Sequence, residues 1–330
     1  MLQYPKFIGL GAMMNTTENV ALNVIRYAIS LLKNNQKVLI DTARAYGNNE
    51  IFLSNVLNKL SLEEINELHI VTKIGIKEFS LETENPDHSL YIDKDKMSDA
   101  YVDIDELRNQ WTISKNLLNP NTLLLHRRHY NNEEYMKQLY FLKELVYNEQ
   151  IDSVGLSEVS LKDLKLARNI IGPKMCFLQT EFSMHVRFLI DDGYLDYCNE
   201  NNIVVMGYSP TGRGFWTDEF THNKLPLDWR TMLGMWQNFD KLSVYLDKVR
   251  ELSKNLNIKT VQLALWWILQ NGVIPIAGSN DYNRNIINLN SFVLTLPNNI
   301  KNELDIIIET MPTNVTTKNF NNNDRIKRYK

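Results

Sequence analysis

Short apolar runs recur along the chain, and each is bounded by a polar or glycine-containing turn. The runs are continuously hydrophobic instead of alternating, which is typical of strands buried on both faces of a parallel sheet. Eight of them predict strands: Lys6–Leu10, Lys37–Ile40, His69–Thr72, Thr122–Leu125, Asp152–Leu156, Cys176–Thr180, Ile203–Gly207 and Val273–Ala277.

Helical periodicity occupies the segments between these strands. Thr17–Lys33 has apolar residues at helical spacing behind a Thr/Glu start signal, and Thr260–Asn271 ends before Gly272. Similar patterns cover Asn132–Asn148, Leu161–Ile171 and Gly193–Asn201. Because strand and helix alternate eight times, we expect an α/β fold, a single-domain (β/α)8 TIM barrel over residues 1–312. Residues 313–330 are polar and Asn-rich, and we expect a mobile tail there.

The structural alternative is an open doubly wound sheet that binds a dinucleotide behind its first strand. Gly9 and Gly11 follow the first strand, but a third glycine at the required spacing and a later acidic ribose partner are absent. A short-chain dehydrogenase site would need a tyrosine with a lysine four residues later, and the chain has no such pair. These observations favour the barrel, with Gly9 and Gly11 in a turn.

Two gaps between predicted elements are long. Gly75–Ile104 is rich in Asp and Glu, and Ser209–Gly234 contains Trp216 and Trp229. Loops at the C-terminal ends of barrel strands form substrate pockets, so we expect the second gap to line a pocket or cover a cofactor. The acidic gap fits a pocket wall and a solvated insertion equally well.

Composition excludes several classes of partner. The 330 residues are 44% hydrophobic and 23% charged, with a net charge of −3, which gives no strong attraction to nucleic acid or anionic lipid. The chain has no apolar stretch long enough to cross a bilayer, and Met1–Leu10 does not resemble a secretion signal. The two cysteines form no disulfide framework, so we expect a cytoplasmic protein. The sequence contains no signature of oligomeric state.

Polar residues collect where the predicted strands end. Asp41 ends the second apolar run, with Tyr46 five residues later; Lys73 ends the third run and His126 the fourth. One such residue could be a satisfied core polar group. Three at successive strand ends, with a tyrosine beside them, predict a catalytic site at the mouth of the barrel.

The chemistry of these four residues is coherent. A tyrosine has a pKa of about 10, and we expect the Lys73 ammonium to lower the pKa of Tyr46 while Asp41 holds the lysine. A neutral His126 could orient a carbonyl oxygen toward Tyr46. In this role Tyr46 would protonate the alkoxide that forms when hydride adds to the carbonyl carbon. No side chain supplies hydride, so a carrier is required.

The motifs that contain these residues resemble those of the aldo-keto reductases. Asp41-Thr-Ala-Arg-Ala-Tyr46-Gly-Asn-Asn-Glu50 is similar to the signature of that family, and Val71-Thr72-Lys73 and Leu124-Leu125-His126 resemble its lysine and histidine segments. The resemblance extends from about Phe7 to Leu289. It implies NADPH-dependent reduction of a small aldehyde or ketone, with catalytic roles for Asp41, Tyr46, Lys73 and His126.

The resemblance also implies a site for the nicotinamide ring. Ser157 and Gln179 would hold the carboxamide, and Tyr208 would stack on the ring. Glu158 stands where many members have an asparagine, and an ionised carboxylate cannot donate to the carboxamide oxygen. Gly-Leu-Ser-Glu at this place is similar to a branch that contains pyridoxal and aryl-aldehyde reductases.

The resemblance also assigns residues to the adenosine and phosphate portions of the cofactor. Arg284 would contact the 2′-phosphate, which favours NADPH over NADH through charge-assisted hydrogen bonds. Asn288 would contact the adenine. The phosphate path and the neighbouring strand ends would be lined by Gly11, Ala12, Met13, Ser209, Thr211, Arg213, Gly278 and Ser279.

Two alternative functions are a metal site, which the sequence disfavours, and a regulatory subunit, which stays open. His126-x-x-His129 has metal-ligand spacing, but no accompanying zinc motif or cysteine pair is present, so we expect no metal and a surface position for His129. A barrel that binds NADPH as a regulatory or partner-binding subunit, with little turnover, is the open alternative to an enzyme.

Overall fold

The eight predicted strands are present. A computed structural model describes residues 6–12, 16–33, 35–77, 101–221 and 223–312. Its strands agree with the predicted bounds to within two residues at either end. They are β1 (Phe7–Gly11), β2 (Lys37–Asp41), β3 (Leu68–Ile74), β4 (Thr122–Leu125), β5 (Ser153–Ser157), β6 (Met175–Glu181), β7 (Val204–Tyr208) and β8 (Val273–Ile276).

The strands form one parallel sheet in sequence order that curls into a barrel. Each strand from β1 to β7 pairs in parallel with the next. The first and last strands approach each other, and the Gly11 amide donates to the Ala277 carbonyl at 2.9 Å. The predicted single-domain TIM barrel is confirmed, and all the C-terminal strand ends lie at one mouth.

Helices connect the strands around the outside. The predicted helices are confirmed, with each first residue within one position of the prediction. Those of the first half are α1 (Glu18–Ser30), α2 (Asn49–Leu57), α3 (Leu62–Asn66), α4 (Ile104–Leu118), α5 (Asn132–Tyr147) and α6 (Leu161–Ile171). Those of the second half are α7 (Phe188–Asp191), α8 (Tyr194–Glu200), α9 (Gly234–Gln237), α10 (Phe239–Asn255), α11 (Thr260–Gln270), α12 (Tyr282–Asn290) and α13 (Asn299–Glu309).

Helix caps explain where several of these helices begin. The side chain of Thr17 accepts from the Val20 amide, and Ser160 accepts from the Asp163 amide, so each cap satisfies a backbone donor of the first turn. Gly272 follows α11 with a φ of +73°, the left-handed conformation that favours glycine after a helix. None of the helices within the described ranges is long and apolar enough to cross a membrane.

An aromatic cluster closes the end of the barrel opposite the mouth. The His69 ring lies 4.9 Å from the Phe7 ring and 5.5 Å from the Phe177 ring, measured between centroids. His69 Nε2 is 2.8 Å from the Thr122 hydroxyl. Burial lowers the pKa of His69 to about 4, so the ring packs as a neutral group at physiological pH.

The two long gaps differ in what the structure describes of them. Residues 78–100 of the acidic gap lie outside the described ranges, as does the predicted tail at 313–330. In the second gap, Trp216 is fully buried and packs against Phe215 and His185. The indole of Trp216 therefore belongs to the core beneath the loop, and the expectation that this gap lines a pocket or covers a cofactor stays a prediction for its other residues.

Glycine at position 155 allows close contact between β5 and its neighbours. A Cβ at Gly155 would lie 2.3 Å from the Phe177 carbonyl oxygen and 2.7 Å from a Leu124 methyl group. The pairing of β5 with β6 also shifts register between Val154 and Gly155. Backbone cannot move aside as a side chain can, so the barrel wall has no room for a methyl group here.

We expect Gly155→Ala to lower the free energy of unfolding by about 1–3 kcal/mol, the usual range for overpacking. Denaturant unfolding measures this change. The matched variant Gly207→Ala should lose less, because its new methyl would chiefly meet side chains of Val273 and Phe182 at 3.0 and 3.2 Å. Equal losses in the two variants would contradict the steric explanation.

Candidate active site

An ion pair lies at the mouth of the barrel. Lys73 Nζ donates to both carboxylate oxygens of Asp41 at 2.7 Å and to the Thr42 carbonyl at 2.8 Å. Lys73 is fully buried and Asp41 is 5% exposed. The three ammonium protons are therefore all used, which compensates for the removal of both charges from water.

Tyr46 and His126 lie beside this pair. Lys73 Nζ is 5.1 Å from the centroid of the Tyr46 ring. The rings of Tyr46 and His126 contact edge to face, with centroids 5.9 Å apart and planes at 84°. The structure thus brings together the four residues that the sequence assigned to catalysis.

Burial raises the pKa of Tyr46 well above its ordinary value, and the nearby Asp41 carboxylate adds to the increase. The guanidinium groups of Arg213 and Arg127 act in the opposite direction but more weakly. The expectation that the pKa of Tyr46 is lowered is wrong for this structure, because burial outweighs any effect of the Lys73 ammonium, which is paired with Asp41. Tyr46 is a neutral phenol at physiological pH.

Gln179 connects β6 to the ion pair. Its amide nitrogen donates to Asp41 Oδ1 at 2.7 Å, and its side chain is nearly fully buried. Ser157, buried at the end of β5, is its register partner across the sheet. The sequence predicted only a carboxamide contact for Gln179, and its bond to Asp41 had no local signal.

Glu158 and Tyr208 form a second pair at the mouth. The Tyr208 hydroxyl donates to Glu158 Oε1 at 2.7 Å. Glu158 has a φ of +58° and its backbone nitrogen donates to the Gln179 carbonyl at 3.0 Å. The two residues that the sequence placed near a nicotinamide ring are therefore in direct contact.

Glu50 supports the turn that presents Tyr46. The carboxylate is fully buried and accepts from Arg44 at 2.9 Å, Thr72 at 2.5 Å and Ser114 at 2.8 Å. These donors come from the turn after β2, from β3 and from α4. The last residue of the family-like signature thus holds the turn in place.

The loop after β7 contains several residues in the left-handed region. Ser209, Gly212, Arg213 and Gly214 have φ values of 51°, 60°, 54° and 92°. Gly212 N donates to the Ser209 carbonyl at 2.9 Å. The Thr211 hydroxyl accepts from Gly214 N at 3.3 Å. Arg213 is exposed at the tip of the loop.

The buried His185 packs against the loop after β7 and holds it in place. Its Nδ1 accepts from the Trp216 indole at 2.8 Å, and a Cβ on Gly212 would lie 2.5 Å from its ring. Burial lowers the pKa of His185 to about 3, so the ring is neutral and can accept the indole proton. No local pattern in the sequence predicted this role for His185.

The segment after β8 contains the remaining predicted cofactor residues. A Cβ on Gly278 would lie 2.4 Å from the Gly11 carbonyl oxygen, so the two turns pass each other closely. The Ser279 hydroxyl accepts from the Asp281 amide at 3.1 Å. Arg284 lies in the first turn of α12, where its amide donates to the capping Asp281 at 2.8 Å, and Asn288 follows one turn later on the same face.

Arg284 has a partner that the sequence did not reveal. A nitrogen of its guanidinium group lies 3.3 Å from the Glu219 carboxylate, which belongs to the long loop after β7. Arg284 is 60% exposed and Glu219 35% exposed, so the pair is a weak surface contact. Two segments on either side of the predicted adenosine site are thereby linked.

The remaining predicted residues are Met13, Ala12 and His129. Met13 lies outside the described residues, whereas Ala12 is buried and its carbonyl accepts from Asn49 at 2.6 Å. The expected surface position of His129 is wrong: it is 6% exposed and stacks on Tyr130. Within the described ranges no group of three or more His, Cys, Asp or Glu residues could hold a metal ion.

Comparison with known sequences agrees with this geometry. The profile of the Aldo/keto reductase family matches residues 7–309. The chain belongs to the aldo-keto reductases. An aldo-keto reductase of Gibberella moniliformis is 28% identical over 261 residues, which are 76% of this chain and 73% of that protein.

Two similar proteins from Schizosaccharomyces pombe have more specific names. A probable pyridoxal reductase 2 is 28% identical over 166 residues, covering 47% of this aldo-keto reductase and 49% of the yeast protein. The aldo-keto reductase yakc [NADP(+)] is 30% identical over 149 residues, covering 42% of each.

Among solved structures, a glycerol dehydrogenase of Gluconobacter oxydans superposes with a TM-score of 0.73, at 21% identity and over 94% and 93% of the two chains. That likeness concerns the fold.

We expect Lys73→Met to destabilise this aldo-keto reductase by about 3–5 kcal/mol, because Asp41 would remain buried without its cation. Denaturant unfolding of the chain without added cofactor measures the loss. The double variant Lys73→Met with Asp41→Asn should regain part of it, since no isolated charge remains. A single variant as stable as the wild type would show that the pair contributes nothing to folding.

Proposed function

We propose that the protein catalyses the NADPH-dependent reduction of a small aldehyde or ketone, with Tyr46 as the proton donor. The observation that carries this proposal is the grouping of Tyr46, His126 and the buried pair of Lys73 and Asp41 at one mouth of the barrel. The reaction is reversible, and family membership supports an oxidoreductase that acts on carbonyls.

The residues present fit a nicotinamide dinucleotide phosphate. Arg213 and Arg284 are exposed cations, suited to phosphate, and the hydroxyls of Ser209, Thr211 and Ser279 lie on the same two loops. The left-handed residues of the loop after β7 give it the type of backbone curvature found in anion-binding nests. Ser157 and Gln179 provide hydroxyl and amide groups for a carboxamide.

When bound, the reduced nicotinamide would supply the hydride. His126 would hold the carbonyl oxygen, and the neutral Tyr46 phenol would donate its proton to the alkoxide that develops there. An alkoxide is a stronger base than a phenolate, so this proton transfer is favourable even though burial raises the pKa of Tyr46. The guanidinium groups of Arg213 and Arg127, which act to lower the pKa of Tyr46, would then stabilise the phenolate.

The proposed partner is a small carbonyl compound. The yeast relative that is named a probable pyridoxal reductase supports a ring-bearing aldehyde. The relative whose name includes NADP(+) supports the choice of cofactor. Both described cysteines are free thiols, which is consistent with the cytoplasmic location included in the proposal.

We expect Tyr46→Phe to lower kcat for aldehyde reduction by about 10²–10⁴-fold, the usual contribution of a positioned acid. The affinity for NADPH should stay within about threefold of the wild type, since the ring of Tyr46 is retained. Oxidation of NADPH over a panel of aldehydes, including pyridoxal, measures the first quantity, and calorimetric titration measures the second.

The same experiment separates an enzyme from a regulatory subunit. An enzyme shows turnover that depends on Tyr46, with the surface variant Tyr140→Phe unaffected. Tight NADPH binding, with no turnover of any carbonyl that Tyr46→Phe abolishes, would refute the catalytic proposal and favour the binding subunit.

The pair of Arg284 and Glu219 predicts how cofactor choice responds to substitution. Arg284→Gln should weaken NADPH binding about tenfold and NADH binding little, because only NADPH presents a 2′-phosphate. Glu219→Gln should tighten NADPH binding about two- to fivefold, because an exposed carboxylate no longer competes for the arginine. Dissociation constants for both cofactors measure the effects, and equal changes for NADPH and NADH would contradict the assignment.

A further inference from the structure

The carboxylate of Glu158 receives an unusual concentration of hydrogen bonds. Its Oε1 accepts from the Tyr208 hydroxyl at 2.7 Å, from the Thr180 hydroxyl at 3.2 Å and from the Glu181 amide at 3.4 Å. Three donors directed at one oxygen favour the ionised form of a carboxyl group. Glu158 therefore brings a fixed negative charge to the mouth of the barrel.

The backbone holds this charge in position. Glu158 has a φ of +58°, and its nitrogen donates to the Gln179 carbonyl at 3.0 Å. Its side-chain donors lie on β6 and β7. The two strands that follow β5 in the sheet therefore hold the carboxylate in place.

Glu158 is connected to the catalytic group through Gln179. That residue contacts Glu158 through its carbonyl and Asp41 through its side-chain amide, at 2.7 Å. A hydride donor must approach a carbonyl carbon whose oxygen is close to Tyr46. Under the proposed function, the nicotinamide ring must therefore lie between Tyr46 and the ends of β5 to β7, where Glu158 and Tyr208 are.

The two redox states of the nicotinamide differ in charge. The oxidised ring carries one positive charge, which the reduced ring lacks. A carboxylate beside the ring attracts only the oxidised form. The hydrogen bond to Glu158 also makes the Tyr208 ring richer in electrons, and an electron-rich aromatic face attracts a cation.

We propose that Glu158, together with Tyr208, makes this site selective for the redox state of its cofactor by strengthening the binding of NADP⁺ relative to NADPH. This inference rests on the proposed function. An asparagine at this position would offer an amide of no net charge and would lack the effect. On the enzyme, the equilibrium of carbonyl reduction would be drawn toward the alcohol and the oxidised cofactor, and release of NADP⁺ would be slowed.

The size of the effect follows from electrostatics. Two unit charges in contact near a protein surface change a binding constant by roughly ten- to a thousandfold. Glu158 is only partly buried, so the lower end of this range applies. A tenfold change in the ratio of the two dissociation constants is about 30 mV in the reduction potential of the bound two-electron couple.

The test measures the dissociation constants of NADP⁺ and NADPH separately, by calorimetric titration in the absence of any carbonyl substrate. Glu158→Gln keeps the shape and removes the charge, and we expect the ratio of the NADP⁺ to the NADPH dissociation constant to rise about tenfold. Tyr208→Phe keeps the ring and removes the hydroxyl donor, and the same ratio should rise about threefold. Glu158→Asp, which retains the charge, should keep the ratio closer to that of the wild type.

Glu144→Gln is the matched control for the loss of one negative charge. Glu144 is half exposed near the C-terminal end of α5, and barrel topology places that end at the face opposite the mouth. The ratio should be unchanged in this variant. Thermal unfolding of each variant verifies folding, and Tyr208→Phe provides the test if Glu158→Gln does not fold.

The outcomes distinguish the inference from the function on which it rests. If the wild type binds neither cofactor, the proposed function and the inference both fail. If the wild type binds both, but Glu158→Gln and Tyr208→Phe change the two dissociation constants by the same factor, Glu158 merely positions the ring. The proposed function then stands and redox selectivity is overturned.

Discussion

The buried ion pair of Lys73 and Asp41 is the constraint on which the mouth of the barrel depends. It joins β2 to β3, and the amide of Gln179 adds β6 from the opposite wall. An isolated charge could not remain ionised at such a position, so each partner requires the other. The pair therefore fixes the geometry of three strands and provides the electrostatic surroundings of Tyr46.

Tyr46 illustrates what this arrangement does to the proposed proton donor. An ammonium beside a phenol would by itself promote ionisation, but here it is saturated by Asp41 and the Thr42 carbonyl. Burial then dominates and the pKa of Tyr46 rises. Under the proposed function, this result suits an acid that holds its proton until a strong base is present, since a phenol with a raised pKa loses its proton only to a base as strong as an alkoxide.

A second layer of contacts supports the groups at the mouth of the barrel. Glu50 ties the turn of Tyr46 to β3 and α4, and His185 ties the loop after β7 to the core through Trp216. Both use a buried polar group with defined partners: Glu50 accepts from three donors, and His185, whose pKa is lowered by burial, accepts from the Trp216 indole. Rigid support of this kind is what precise positioning requires.

Local patterns in the sequence determined the eight strands, the helices that were predicted and the positions of Asp41, Lys73 and His126 at strand ends. They could do so because burial on both faces of a strand leaves a continuous apolar run, and the polar residue after it must lie at the mouth. His129 was placed wrongly, because histidine side chains occur both in cores and at surfaces.

Contacts between distant segments were decided only by the tertiary structure. Gln179 and Asp41 are 138 residues apart, Arg284 and Glu219 are 65 apart, and Tyr208 and Glu158 are 50 apart. No periodicity encodes such pairs, since they exist only when the barrel brings the strand ends into one ring. The pKa of Tyr46 belongs to the same class, because desolvation depends on everything packed around the phenol. The sequence identified the residues proposed for catalysis, and the closed barrel determined the electrostatic environment of each.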